Sequence, residues 1–125
     1  NNSAANYSAE STSHVFDSGT QMIIYGRATF TSSNSSTSIN SSKGSAYYQT
    51  ITLPTSFVGA APLVYTQVHV GNVSTGVSTS FYDATAQVYN PTTSSFALKL
   101  LLPNETSLNS SKIYVNWMAV GPKNR

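Results

Sequence analysis

Cysteine is absent from these 125 residues. That excludes disulfides and thiolate metal sites, and with them a small secreted fold held together by bridges. Charge is scarce too: Asp, Glu, Lys and Arg make up 8% of the chain, against about 25% in ordinary soluble domains. The six Lys and Arg are scattered and the net charge is +2. No basic cluster is available to neutralise a run of phosphates, which excludes nucleic-acid binding. No apolar run approaches the roughly 20 residues of a membrane-spanning helix, and no secretory leader pattern is found. The first residue is Asn, so the chain is expected to be the C-terminal piece of a longer protein.

Uncharged polar residues fill the gap: 22 Ser, 15 Thr and 11 Asn. Such a surface hydrates well but repels copies of itself weakly, which favours an obligate oligomer or a surface for polar ligands. Eight Tyr, five Phe and many Val and Ile argue against disorder. The length fits one domain able to bury about two-thirds of its unfolded surface. Seven N-x-Ser/Thr sequons occur, at Asn1, Asn6, Asn34, Asn40, Asn72, Asn104 and Asn109. They would suit glycosylation of a secreted chain, but a chain this rich in Asn, Ser and Thr generates such sequons by chance.

Residues 1–19 are expected to be a stalk end or linker, and 20–125 a β-sandwich knob. In the lead-in, Ala5, Ala9, Thr12 and Phe16 fall at heptad-like spacings. "QMIIYGRATF" then alternates, with Met22, Ile24, Ala28 and Phe30 on one face and Tyr25, Arg27 and Thr29 on the other. "TSSNSSTSINSSKGS" reads as a long polar loop, and "AYYQTITLP" as a strand closed by Pro54. In "PLVYTQVHV", Val64, Val68 and Val70 alternate with Tyr65, Gln67 and His69. "VSTSFYDATAQVYN" reads as a long strand, and "SSFALKLLLP" sets Phe96, Leu98, Leu100 and Leu102 on one face. In the final strand Ile113, Val115, Trp117 and Ala119 oppose Tyr114, Asn116, Met118 and Val120. Six strands with no amphipathic helix predict an all-β fold, a small antiparallel β-sandwich.

The last strand carries bulk on both faces, whereas a strand of a lone sandwich keeps one face wet. Tyr114, Trp117 and Met118 are therefore expected at a subunit interface or in the core, and the assembly is expected to be a homotrimer.

From "LPTSFVGAAPLVYTQVHV" onward the order of features resembles the H-type lectin domain. "FVGAAPLVYTQV", "ATAQVYNPTTSSFALKL" and "VNWMAVG" stand for its Pro-hydrophobic strand, its long strand with the turn and next strand, and its closing strand. About two-thirds of the chain is covered. The resemblance implies a trimeric antiparallel sandwich. Where that family holds its sugar with an Arg and a Trp-His pair, this chain has Asp83 and Pro103-Asn104. The composition and lead-in also look like the C-terminal tip of a bacteriophage tail fibre, spike or needle, which implies a place at the virion tail tip and action outside the cell.

Chemistry beyond binding finds little support. Glu10, His14 and Asp17 lie in the lead-in, Asp83 and Glu105 are the carboxyls nearest strands, and no motif joins them. No enzyme activity, cofactor or metal site is expected. Tyrosine suits recognition because it offers a rigid apolar face and a hydroxyl at small entropy cost. Tyr48, Tyr65, Gln67, His69, Tyr82 and Asp83 are the candidate ligand-binding residues, with packing at the trimer seam as their alternative role. The expected function is attachment of a virion to a bacterial surface glycan or other envelope receptor. The alternative is a free-standing H-type lectin for galactose- or GalNAc-type sugars.

Overall fold

Period-two alternation organises the chain into two stacked sheets. The computed structural model describes residues 13–38, 44–69, 83–103, 108 and 112–123. Its strands are β1 (Ser13–Asp17), β2 (Gln21–Phe30), β3 (Ser35–Ser38), β4 (Ser45–Thr52), β5 (Leu63–His69), β6 (Thr85–Tyr89), β7 (Ser95–Leu102) and β8 (Ile113–Pro122). The first sheet has the order β1-β2-β8-β5 and the second β3-β4-β7-β6. All neighbours run antiparallel. The described residues therefore form an all-β sandwich.

The core is the set of inward positions that the alternation marks. Met22, Ile24, Ala28 and Phe30 of β2 are fully buried, as are Leu98, Leu100 and Leu102 of β7 and Ile113, Val115 and Ala119 of β8. Each such large side chain contributes about 1.5–3 kcal/mol by leaving water. Trp117 lies opposite Gly26 on β2 and Thr66 on β5. These small neighbours leave room for the indole, which meets Phe96 of the other sheet edge-on, with centroids 5.2 Å apart at 71°.

Two strands depart from the sequence reading. Ser13–Asp17, within the segment expected to be stalk end or linker, pairs with β2 along its whole length. The turn that follows explains the pairing: Asp17 Oδ1 accepts from the Gly19 amide at 2.8 Å, and Gly19 takes φ +100°, open to glycine at little cost. Ser35–Ser38, expected to be loop, pairs with β4. An edge strand needs only one partner, so a polar tetrapeptide suffices there. Among the described residues the strands thus number eight, against the six expected. The heptad-like Ala5, Ala9 and Thr12 lie outside the described residues, as do residues 77–82 of the expected long strand, whose described part forms β6 only over Thr85–Tyr89.

Strand order also explains the final segment. β8 is not an edge but lies between β2 and β5. Its outward Tyr114 is 9% exposed because Arg27 covers the ring, 4.9 Å from its centroid, and His69 meets it edge-on at 6.1 Å. Met118, by contrast, is 38% exposed in the single chain. Much of the second bulky face is therefore covered by neighbouring strands of the same chain.

Candidate functional site

The outer face of the first sheet is ordered in rows by the register. At one end stand Phe16, Ile23, Val120 and Leu63, one from each strand. The next row is His14, Tyr25, Met118 and Tyr65. Then come Arg27, Asn116 and Gln67, followed by Thr29, Tyr114 and His69. Along the strand axis the face grades from apolar through aromatic to polar.

The second and third rows enclose a groove of about 400 Å³, within the range of about 300–1,000 Å³ of small-ligand sites. Tyr65 and Met118 supply exposed apolar surface on one side. His14 is buried and stacks on Tyr25 with centroids 5.1 Å apart at 27°. Arg27 is held twice: its Nε donates to Asn116 Oδ1 at 2.8 Å, and its guanidinium covers Tyr114. Such a site offers flat apolar faces beside directed polar groups, all on adjacent strands rather than on loops.

The six candidate residues do not form one patch. Tyr65, Gln67 and His69 share the outer face of β5, and Tyr65 and Gln67 line the groove. Tyr48 lies on the outer face of the second sheet, bonded to Thr37 Oγ1 at 3.1 Å and 6.0 Å from Lys99 Nζ. The sandwich separates it from the groove. Asp83 is exposed ahead of β6, and Tyr82 lies outside the described residues. Trp117 belongs to the core, while Met118 faces the groove. Of the positions where this chain departs from the lectin sugar site, Asp83 and Pro103 are exposed and Asn104 lies outside the described residues.

His14, Tyr25, Arg27 and Asn116 were missed as site residues. The alternation put Tyr25, Arg27 and Asn116 on outward faces, but only the strand order brings β1, β2, β8 and β5 side by side. No sequence signal draws His14 to them, because Ser13–Asp17 reads as part of a linker.

Among the described residues no three His, Asp or Glu come together as metal ligands, and no helix is long and apolar enough to cross a membrane. Asn34, the one sequon Asn among them, lies in the turn after β2, where its Oδ1 accepts from the Thr31 amide at 2.8 Å.

No protein-family model matches the chain, and no curated protein matches it. Among solved structures it is similar to a C-terminal fragment of the P. aeruginosa R1 pyocin fibre and to an N-truncated R1-type pyocin tail fibre. Each likeness has 14% identity and a TM-score of 0.48 over 97% of this chain. That span is 32% of the first structure's chain and 98% of the second's.

Proposed function

We propose that this chain is a recognition knob at the tip of a phage-type tail fibre, spike or needle, and that it attaches the particle to a bacterial surface glycan. The groove of the first sheet carries the reading. An exposed tyrosine beside preorganised donors and acceptors is the surface that a sugar needs: ring faces for its C–H groups and directed partners for its hydroxyls. The site binds and does not turn over its ligand. The tail-tip setting draws on the Cys-free composition rich in Ser, Thr and Asn.

Three copies meet in this reading, and the apolar row of the first sheet is the surface available to them. Phe16 is 61% exposed and Leu63 66%, at opposite ends of a row that crosses all four strands. Scarce charge on the chain lowers the repulsion that would oppose such contact.

The test is pull-down of labelled knob by a panel of bacteria, before and after periodate oxidation of their surface glycans. Binding that periodate abolishes supports the reading. Absence of binding across the panel, or binding unmoved by periodate, overturns it. A parallel arm of galactose and GalNAc glycans distinguishes a free-standing lectin, which binds them strongly.

A further inference from the structure

We infer that the groove takes two consecutive sugar units of a glycan chain, one on Tyr25 and Arg27 and the other on Tyr65 and Gln67. This rests on the reading of the groove as a glycan site and adds the length of chain that the site holds.

The strand register is the first ground. β8 lies between β2 and β5 and runs antiparallel to both, so β2 and β5 point the same way. Tyr25 and Tyr65 both stand opposite Met118, and Arg27 and Gln67 both stand opposite Asn116. Each flanking strand therefore carries the same pair: a tyrosine and, two residues on, a side chain with planar N–H donors. The two pairs are related by a translation across β8, and all six of these residues line the groove. A linear glycan likewise presents a ring face and hydroxyls again at each successive unit.

Size is the second ground. Neighbouring strands lie about 4.7–4.9 Å apart, which sets β2 and β5 about 9–10 Å apart across β8. That distance is wider than one pyranose ring, and the groove volume of about 400 Å³ is more than one hexose fills. The β2 pair is braced by its neighbours: Tyr25 stacks on His14, and Arg27 Nε donates to Asn116 Oδ1. The β5 pair is the more open one, with Tyr65 54% exposed. A second sugar tied to the first by a glycosidic bond adds its contacts without a second full loss of translational and rotational freedom. Chain length should therefore show directly in affinity.

The probe is a ladder of one to four sugar units, made by partial acid hydrolysis of the surface polysaccharide of a bacterium that retains the chain. Calorimetry of the intact chain with each member is expected to show affinity rising at least tenfold from one unit to two, then levelling off. Tyr65→Ala and Gln67→Ala, both at exposed positions of β5, should each remove most of that rise while leaving the single unit within about twofold. Tyr25→Ala should do the same from the other side. Should Tyr25→Ala fail to fold, the ladder on the native chain and the two β5 variants carry the test. A single unit that binds as tightly as two, or a further tenfold rise at three or four units, overturns the inference. So does a Tyr65→Ala chain that keeps the full gain from the second unit. If no member of the ladder binds yet the chain still holds bacteria through a periodate-sensitive glycan, the inference falls and the glycan reading stands. If no bacterium retains the chain, or periodate changes nothing, both fall.

Discussion

Gln49 Nε2 donates a 2.6 Å hydrogen bond to the backbone carbonyl of Thr29, joining the second sheet to the first. Among the described residues, the stretch of β2 from Arg27 onward has its strand partner in β8. The Gln49 amide adds a partner for Thr29 from the other sheet.

Gln49→Leu removes that donor and leaves a half-buried carbonyl without it, at a cost of about 1–3 kcal/mol. Thermal unfolding should fall by several degrees, while Gln49→Glu should be worse because it replaces the donor with an acceptor. A Gln49→Leu chain as stable as the parent would show that water satisfies Thr29 just as well.

Gly121 marks a close approach. A Cβ there would stand 2.9 Å from Phe57 Cδ1 and 3.2 Å from the Pro62 backbone Cα. Phe57 is buried, so its ring has little room to move. Gly121→Ala should therefore cost about 1–3 kcal/mol by overpacking, and Phe57→Leu in the same chain should recover part of the loss. Denaturant midpoints of the two single variants and the double variant check the coupling.

Trp117 tests the core. It is 5% exposed, so its emission should be blue-shifted and poorly quenched by acrylamide, and should turn red on unfolding. Trp117→Ala should cost about 3–5 kcal/mol, enough to threaten a domain of ordinary stability, about 5–15 kcal/mol. Emission characteristic of wetted indole in the folded chain would contradict the packing on Phe96.

Tyr65 separates binding from folding, because it is 54% exposed and lines the groove. Tyr65→Ala should leave stability within about 0.5 kcal/mol yet lower attachment to bacteria at least tenfold. Unchanged attachment would move the binding surface elsewhere.

The apolar row is tested by self-association. Phe16→Ser with Leu63→Ser removes exposed apolar surface at both ends of that row. Sedimentation should show a trimer for the parent chain at micromolar concentration and a monomer for the double variant. A parent chain that is already monomeric there would end the trimer proposal.

The sandwich was legible wherever alternation was strong. Phe96, Leu98, Leu100 and Leu102 announced β7, and all four are buried. β1 and β3 escaped because short edge strands need no apolar face of their own. "SHVFD" leaves Val15 and Phe16 exposed, and "SSTS" has no apolar residue at all. The site was half legible. Tyr65 and Gln67 were found from β5 alone, whereas Tyr48, chosen on residue type, lies on the opposite layer.

The sequence by itself determined which side of each strong strand faces the core, because that depends only on the period of the pleat and the burial of apolar groups. It also determined the low charge and the absence of thiols. Tertiary structure alone decided that β8 runs between β2 and β5. That order brings Arg27 to Asn116 and lays His14, Tyr25, Met118 and Tyr65 in one row. Strand order is set by which sheet edges meet during packing, a long-range choice that no local period encodes.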